Sequence, residues 1–341
     1  MWNLTQVPKI AHFYWGNKTL TLDRFLSIAS FSLLNPDWDV FLHRPSDLSG
    51  ELNATWNTYE HKRCNSDNGY ECYWENLRTL KNLTVKVHNF TNLPSFSEVH
   101  RSDCLRWDLL ADIGGLWSDL DILYIRPMNE LYFNCEDNEL RGNEGEMQLL
   151  RPGEIREAIC ISSWRDFVYN SIGFLLSAPK SSLFVDVQEQ KNRLLREGSA
   201  EILMGRYQSL GSDILNSMFP LSDVPQRISG YTIPKCDLVS SDYFNMATVS
   251  VLDLNSAVNI SREVVYPYDS FEIKRILHPN ACENYLITDK TIGIHWYAGD
   301  SAVGKYMKAI SREEIANGKD CILGDLIFDF VKSFESDLFP A

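Results

Sequence analysis

Short apolar runs alternate with helically spaced apolar stripes along the first third of the chain. The run Val7–Asn17 predicts a strand, and the stripe Thr21–Leu34 predicts a helix that an Asn-Pro pair ends. The run Trp38–His43 predicts the next strand. A strand, a helix and a strand at this pitch predict a βαβ unit with parallel strands and a right-handed crossover. A further helix is predicted within Tyr70–Leu80, and the alternating segment Leu83–Phe90 predicts a further strand.

The segment Arg101–Pro127 carries the strongest pattern. Its first half has an apolar stripe with helical spacing, which consists of Leu105, Leu109, Leu110 and Ile113. Ser102 or Asp103 is the predicted N-cap of this helix, and Gly114-Gly115 is the predicted stop. The second half, LWSDLDILYI, predicts one short apolar strand.

Two carboxylates, Asp119 and Asp121, interrupt that predicted strand. Residues two apart in a strand point to the same side, so the strand prediction makes the two side chains converge. Converging carboxylates repel each other unless a cation or a shared proton relieves the repulsion. The pair therefore predicts a divalent metal site that carries a phosphate-bearing substrate, whereas the alternative is a solvated strand end.

The second half of the chain has weaker signals between clear elements. Met128–Asp166 is charged and contains glycines, which predicts a loop or a small subdomain. Asn170–Ser181 predicts a strand that leads into a helix, and Tyr207–Phe219 contains a predicted helix start. Thr291–Tyr306 predicts a buried strand that ends in a Gly/Ser loop, and Cys321–Phe334 predicts an amphipathic helix that packs on the sheet.

The Asp-x-Asp pair lies in a longer motif that resembles a known family. Ser-Asp-x-x-Arg ending at Arg106, a helix, Gly-Gly, the aromatic Trp117 and then Asp119-x-Asp121 resemble the sugar-nucleotide site of Asp-x-Asp glycosyltransferases. The similarity is greatest to the Och1-like, family 32 sugar-binding-region type and to the glucosyltransferase domains of large clostridial toxins. The resemblance implies that Asp103 and Arg106 hold the ribose and the donor sugar. It also implies that the aspartate pair handles the metal and the diphosphate.

The resemblance extends to the first strand and to two weaker segments. That strand matches Pro-Lys-x-x-His-x-x-Trp, which implies that Trp15 stacks on the nucleotide base, whereas the residue type alone favours a core tryptophan. Asn170 precedes a strand that lies beside the acceptor in the family; a turn-satisfying asparagine is the alternative. Asp213 follows Ser212, where the family has proline, so it is either an acceptor residue or a first-turn acid.

The segment around His295 resembles a C-terminal element that closes over the diphosphate in the same family. In some branches its histidine ligates the metal, which implies that His295 joins Asp119 and Asp121 as a ligand for Mn²⁺ or Mg²⁺. No Ser-Trp pair follows His295, so Ser301 or Lys305 would replace the usual phosphate contact. The alternative is a hydrogen-bonded core histidine.

Together these motifs predict an α/β fold of the GT-A type, a Rossmann-like and mostly parallel sheet flanked by helices. Residues 1–127 would form the nucleotide-sugar-binding half, and residues 128–341 the acceptor side and the closing elements of one continuous domain. The predicted activity is metal-dependent, retaining transfer of a hexose to a hydroxyl on a glycan or protein. A UDP-sugar donor is favoured over a GDP-sugar. The alternatives are a metal-dependent phosphoesterase and a sugar-binding module without activity.

Composition and charge narrow the class of protein further. The 341 residues are 44% hydrophobic and 23% charged, which is ordinary for a globular protein with a sizeable core. The formal net charge is −14, and no basic block interrupts the sequence, so nucleic acid is not an expected partner.

Cysteines, glycosylation sequons and the N-terminus bear on the compartment. The eight cysteines form no Cys-x-x-Cys pair, which argues against zinc, and Cys64 with Cys72 would pair only in a secreted protein. Six Asn-x-Ser/Thr sequons give a weak indication of a secretory route; they begin at Asn3, Asn17, Asn53, Asn82, Asn89 and Asn259. The N-terminus lacks the pattern of a signal peptide, and no run is long enough to span a membrane. A soluble, cytoplasmic protein is therefore favoured.

Overall fold

A computed structural model describes residues 4–16, 19–46, 71–90, 93, 96–131, 139–141, 147–149, 156–164, 167–205, 208–218, 257–260, 262–270, 272–278, 286–316 and 321–339. The strands are β1 (Ile10–Tyr14), β2 (Asp39–Pro45), β3 (Leu83–His88), β4 (Gly115–Ser118), β5 (Ile122–Tyr124), β6 (Glu139–Arg141), β7 (Met147–Leu149), β8 (Glu157–Trp164), β9 (Phe167–Ser177), β10 (Ala257–Ile260) and β11 (Gly293–His295). The α-helices are α1 (Leu22–Leu34), α2 (Glu98–Asp112), α3 (Ser182–Glu197), α4 (Ala200–Met204), α5 (Ser212–Met218), α6 (Val303–Ala309), α7 (Arg312–Ala316) and α8 (Ile322–Leu338).

Seven of these strands form one sheet in the order β10-β8-β9-β4-β1-β2-β3. Only β9 runs against its two neighbours, β4 and β8, and the other four pairings are parallel. The predicted βαβ unit is present, because β1 and β2 pair in parallel and α1 connects them. The α/β class with a mostly parallel sheet is therefore confirmed, and strands from both sides of residue 127 share that sheet.

Helices cover both faces of the sheet, and the side chains of its central strands alternate between two apolar clusters. Phe13 and Leu116 lie in the cluster that includes α1 and α8, while Tyr14 and Trp117 lie in the cluster built on α2 and α3. A central parallel strand that is buried on both faces has this alternation of contacts. Helix α8 packs mainly on α7, on α1 and on the 3₁₀ helices Glu75–Thr79 and Ile273–Leu277. Its buried side chains belong to the apolar cluster that also contains Phe13 and Leu116 of the sheet.

Helix α2 begins earlier than predicted. Its N-cap is Ser97, whose hydroxyl accepts a hydrogen bond from the backbone N–H of His100 at 3.4 Å. Ser102 and Asp103 therefore lie inside the helix, and the N-cap predicted for them is wrong. The earlier start follows from the side-chain cap, since a serine in extended backbone geometry satisfies an otherwise unpaired N–H.

The glycine stop of α2 is confirmed. Gly114 and Gly115 have φ angles of +73° and +102°, which place both in the left-handed region that favours glycine. A Cβ at Gly115 would lie 2.5 Å from the carbonyl oxygen of Ile10 on the neighbouring strand. This close approach lets the chain turn directly from α2 into β4.

The predicted single strand LWSDLDILYI is two strands in different sheets. Strand β4 ends at Ser118 in the main sheet, and β5 begins at Ile122 and pairs with β11. Asp119 and Asp121 lie in the link between the two strands, so a turn rather than a shared strand face makes them converge. The inference from strand alternation was wrong, although the convergence itself is observed.

The segment Met128–Asp166, the cysteine pair and the helix lengths also bear on the sequence predictions. Met128–Asp166 is more than a loop, because β6 pairs with β7 and β8 joins the main sheet. Cys72 is an exposed free cysteine, and Cys64, which was predicted to pair with it in a secreted protein, lies outside the described residues. Among the described residues, no helix is long and apolar enough to cross a membrane.

One sequon is occupied by structural hydrogen bonds. The Nδ2 atom of Asn82 donates to the carbonyl oxygens of Ser32, Asn35 and Trp38 at 3.3, 3.0 and 2.9 Å. This nitrogen joins the end of α1 to the start of β3, so it is not available for a glycan. The asparagine of this sequon therefore has a structural role, and its presence does not indicate glycosylation.

Candidate active site

A pocket opens at the carboxyl ends of β1 and β4, where open parallel sheets bind ligands. Six of the predicted site residues line it: Trp15, Asp103, Arg106, Trp117, Asp119 and Asp121. They come from the end of β1, from α2, from β4 and from the link that follows β4. The fold thus brings the sequence motifs to one place.

Two donors fix one carboxylate oxygen of Asp119. Its Oδ1 atom accepts hydrogen bonds from Nη2 of Arg106 at 3.1 Å and from Nε1 of Trp117 at 3.0 Å. Its backbone N–H donates to the carbonyl oxygen of Gly173 on β9 at 2.8 Å. About a third of the side chain is exposed, so the fixed carboxylate also faces solvent.

Asp121 is tied to the C-terminal segment. Its Oδ1 atom lies 3.0 Å from Nε2 of His295, and its Oδ2 atom accepts from the backbone N–H of Ala298 at 3.0 Å. The N–H of Trp296 donates to the Asp121 carbonyl at 2.8 Å. Burial would raise the pKa of Asp121, but the charge and hydrogen bond of His295 and the charge of Arg24 hold it well below its usual range.

Asp119, Asp121 and His295 fit a divalent metal. Each offers one ligand atom, and these three atoms lie within 4.8 Å of one another. The 3.0 Å between Nε2 of His295 and Oδ1 of Asp121 matches the spacing of two adjacent ligands that are each about 2.1 Å from one ion. Two carboxylates and one imidazole are a donor set that suits Mn²⁺ and, more weakly, Mg²⁺. The predicted ligands are therefore together, although they belong to two distant parts of the chain.

Arg106 bridges the two acidic parts of the pocket. Its Nη2 atom lies 3.3 Å from Oδ1 of Asp103 and 3.1 Å from Oδ1 of Asp119. The Nε and Nη1 atoms of Arg106 and the Oδ2 atom of Asp103 are buried and have no hydrogen-bond partner among the described residues. Unpaired buried polar atoms are costly, so a ligand with hydroxyl groups would satisfy capacity that the protein leaves open.

The charge state of Asp103 is unusual. Burial raises its pKa to about 7; the Arg106 guanidinium opposes this rise, and the charges of Asp119 and Asp213 add to it. The raised pKa makes the protonated state of this carboxyl group more accessible than that of an exposed aspartate. In either state it can hydrogen-bond a sugar hydroxyl, as acceptor or as donor.

Trp15 lies at the end of β1 and packs against an arginine that sequence reasoning missed. The guanidinium of Arg24 lies 5.3 Å from the ring centroid of Trp15 and 5.0 Å from that of Trp296. Nη1 of Arg24 also donates to the carbonyl oxygen of Leu120 at 2.8 Å. Trp15 is 5% exposed and lines the pocket, so it combines a packed position with access to a ligand.

Arg24 left one signal in the sequence. It follows Asp23 inside the apolar stripe of α1, where two adjacent charged residues are unexpected. The structure buries both side chains and places Arg24 beside the pocket. Interrupted apolar stripes of this kind can mark a residue that faces a site.

Five predicted site residues are not among those that line the pocket. His295 reaches the site through Asp121, and the other four lie apart from it. Ser301 and Lys305 are exposed around the start of α6, and Asn170 is buried within β9. Asp213 is in the first turn of α5, as the first-turn alternative predicts, yet its charge still raises the pKa of Asp103. The structure does not bring these four to the donor pocket.

No protein-family model matches the chain, and no curated protein matches it significantly. Among solved structures, the chain is similar to the PaToxG glycosyltransferase, with 11% identity, a TM-score of 0.36, and coverage of 64% of this chain and 73% of that one. It is also similar to the glycosyltransferase GlyE of Streptococcus pneumoniae TIGR4, with 11% identity, a TM-score of 0.42, and coverage of 96% and 64%. The catalytic domain of alpha-toxin from Clostridium novyi has 13% identity and a TM-score of 0.34, with 65% of each chain covered.

These similar structures include glycosyltransferases and a clostridial toxin domain, but the chain spans only about two thirds of GlyE and of the alpha-toxin domain. The Och1-like assignment finds no matching family model and stays a prediction. Because each TM-score is under 0.5, the function has to be argued from the geometry of the site.

Proposed function

We propose that the chain is a metal-dependent glycosyltransferase of the GT-A type. It moves a hexose from a nucleotide diphosphate sugar to a hydroxyl group of a glycan or protein acceptor. One observation carries this proposal: Asp119 and Asp121 open into the same pocket as Trp15 and the Asp103–Arg106 pair. The pocket offers the ring of Trp15 to a base, the Asp103–Arg106 pair to a sugar, and the two aspartates to a metal that carries a diphosphate.

Arg106 and Asp103 orient the donor sugar. The unpaired Nε and Nη1 of Arg106 donate to sugar or ribose oxygens, and the unpaired Oδ2 of Asp103 takes a hydroxyl hydrogen bond. The Asp103–Arg106–Asp119 bridge holds both groups before the donor arrives. Preformed positioning of this kind contributes a large part of the rate in transfer reactions.

Asp119, Asp121 and His295 hold Mn²⁺ or Mg²⁺ in this proposal. A cation held there would neutralise charge that develops on the departing diphosphate. The protein itself prepares the site, because Arg106 and Trp117 fix Asp119, and the backbone of Ala298 fixes Asp121. Ser301 and Lys305 would approach the diphosphate only if the loop after β11 and the start of α6 moved inward together.

The remaining assignments follow from the family resemblance. Transfer retains the anomeric configuration by a front-face mechanism, and UDP-hexose is favoured over a GDP-sugar. Residues 1–127 supply most of the donor pocket, and residues 128–341 supply the acceptor side. Asn170 and Asp213 remain the acceptor candidates.

The test is a donor-hydrolysis and transfer assay with UDP-sugars and GDP-sugars, with Mn²⁺, Mg²⁺ or a chelator. We expect release of the nucleoside diphosphate with the metals only. A phosphoesterase would instead release phosphate from p-nitrophenyl phosphate, and a sugar-binding module would do neither.

A pair of variants locates the activity. Asp119→Asn removes a pocket carboxylate, whereas Asp112→Asn changes an exposed aspartate of α2 that pairs with Lys180. We expect loss of activity in the first variant and wild-type activity in the second. Equal activity in both variants, or activity that resists the chelator, contradicts the proposal.

A further inference from the structure

Strand β9 and Tyr266 pack against two of the three proposed metal ligands, Asp119 and His295. The backbone N–H of Asp119 donates to the Gly173 carbonyl at 2.8 Å. A Cβ at Gly173 would lie 2.9 Å from Oδ2 of Asp119 and 2.6 Å from the hydroxyl oxygen of Tyr266. A side chain at this position would therefore force Tyr266 or Asp119 to shift, although the backbone of Gly173 does not itself require glycine.

A side chain at Gly173 would press on one particular oxygen of Asp119, its Oδ2 atom. Oδ1 of Asp119 already accepts from Arg106 and Trp117, so Oδ2 is the oxygen left for a ligand. That oxygen is the one against which a methyl group on Gly173 would press. The absence of a side chain at Gly173 therefore sets where the available oxygen of Asp119 lies.

Tyr266 connects the same strand to His295. Its hydroxyl accepts a hydrogen bond from Oγ of Ser171 at 2.5 Å, and the backbone N–H of Gly173 donates to that Oγ at 3.3 Å. Its ring packs on the imidazole of His295, with 4.9 Å between the ring centroids. Since Tyr266 is almost fully buried, its ring is held in place and restricts the orientation of the imidazole.

We propose that Ser171, Gly173 and Tyr266 form a positioning cluster that sets the separation of Asp119 and His295 for one divalent cation. This inference rests on the metal-dependent function proposed above. The cluster contacts one ligand through Gly173 and the other through the ring of Tyr266, and Ser171 joins the two contacts. None of the three residues is among those that line the donor pocket, so they act through the ligands.

Gly173→Ala is the sharpest variant. The added methyl group displaces the Asp119 carboxylate, and we expect Mn²⁺ affinity to fall about 10- to 100-fold, the usual effect of losing support behind a ligand. The readout is a Mn²⁺ titration by electron paramagnetic resonance, alone and with UDP, together with the melting temperature. Gly205→Ala is the matched control, because a Cβ there would come no closer than 3.2 Å to another residue.

Tyr266→Phe removes the hydroxyl group but keeps the ring. We expect Mn²⁺ affinity to fall by up to about tenfold, since His295 keeps its stacking partner and loses only the link to Ser171. Tyr268→Phe, at a fully buried tyrosine two residues away, controls for loss of a buried hydroxyl. A purely structural role would lower the melting temperature in both tyrosine variants and leave Mn²⁺ binding unchanged.

The outcomes separate this inference from the proposed function. If the wild-type protein binds no Mn²⁺ or Mg²⁺, the metal-dependent function fails, and the positioning cluster fails with it. If the wild-type protein binds Mn²⁺ and Gly173→Ala binds it equally well, only the cluster is overturned. Should Gly173→Ala not fold, Tyr266→Phe decides: wild-type Mn²⁺ affinity in that variant overturns the cluster.

Discussion

Nε2 of His295 lies 3.0 Å from Oδ1 of Asp121, although the two residues are far apart in the sequence. Strand β11 runs antiparallel to β5 and places His295 opposite Ile122, next to Asp121. This contact suits a hydrogen bond and equally suits two ligands of one ion. The Nδ1 atom of His295 has no hydrogen-bond partner among the described residues, so the imidazole is oriented mainly by packing and by Asp121.

Replacing His295 separates the two roles. If His295 is a ligand, His295→Ala should lower the affinity for Mn²⁺ by at least about 10- to 100-fold, which is the usual effect of losing a residue that supports a ligand. His295→Gln should recover part of that affinity, because an amide oxygen can also bind the ion. A core histidine would instead lower the melting temperature and leave the Mn²⁺ titration unchanged in the folded variant.

Asp121→Asn should abolish transfer and lower stability in the absence of metal. Repulsion between Asp119 and Asp121 alone would predict equal or higher stability, but the contacts of Asp121 predict the opposite. Its carboxylate pairs with His295 and accepts from Ala298, and hydrogen bonds of this charged kind contribute about 1.5–3 kcal/mol each. Urea unfolding at neutral pH measures the change, with Asp112→Asn as the exposed control.

The lowered pKa of Asp121 predicts how its contribution to the stability of the fold depends on pH. Because its pKa is lower in the folded protein than in the unfolded chain, the ionised carboxylate stabilises the fold above the unfolded pKa, and this contribution is lost as pH falls below it. The wild-type protein and Asp121→Asn should therefore converge in stability at strongly acidic pH. A constant difference between them at all pH values would contradict this account.

Trp15→Phe tests the base-stacking assignment. The ring keeps the cation–π contact with Arg24 but loses area, so we expect donor KM to rise roughly three- to tenfold, within the range for weakened base stacking. The kcat should change much less, because stacking is felt in the ground state and the transition state alike. Trp38→Phe, at a tryptophan buried against Phe31, is the control. Unchanged donor KM in Trp15→Phe would make Trp15 a core residue.

The parts of the site that are local in sequence could be predicted. Helix α2 has an apolar stripe, Gly114-Gly115 ends it, and the short spacing from Arg106 to Asp119 leaves little freedom in where the two side chains meet. The break between β4 and β5 could not be predicted, because it depends on pairing with β11 near the other end of the chain. An apolar run has the same pattern whether one sheet or two bury it.

The residues that were missed depend on tertiary contacts. Arg24 reaches the pocket because Trp296 and the carbonyl of Leu120 receive its guanidinium. Gly173 and Tyr266 act through contacts with Asp119 and His295 that no local pattern encodes. Sequence patterns indicate which face of an element is buried, but they do not indicate which distant residue packs on it.

Three histidines form a hydrogen-bonded chain across β1, β2 and β3. Nε2 of His12 lies 3.0 Å from the Gly114 carbonyl, Nδ1 of His12 lies 3.0 Å from Nε2 of His43, and Nδ1 of His43 lies 2.7 Å from Nε2 of His88. A carbonyl only accepts, so Nε2 of His12 donates to Gly114. With every ring neutral, each Nδ1 then accepts from the next Nε2–H, and one tautomer satisfies all three bonds.

These three hydrogen-bonded histidines should lower the free energy of unfolding below neutral pH. Burial lowers the pKa of His12 to about 4; burial, followed by the charges of His12 and His88, lowers the pKa of His43 to about 2. Because the unfolded chain binds these protons near pH 6.5 and the folded protein does not, stability falls as pH drops below about 6.5. Each such histidine contributes a slope of about 1.4 kcal/mol per pH unit until its folded pKa is reached.

His43→Gln tests this prediction because its amide can keep both hydrogen bonds without titrating. Urea unfolding from about pH 7 to about pH 5 should show a smaller slope in this variant than in the wild-type protein, and the difference should approach about 1.4 kcal/mol per pH unit below about pH 6. His278→Gln, at an exposed histidine outside the chain of hydrogen bonds, should keep the wild-type slope. Equal slopes in all three proteins would mean that the buried histidines do not stay neutral.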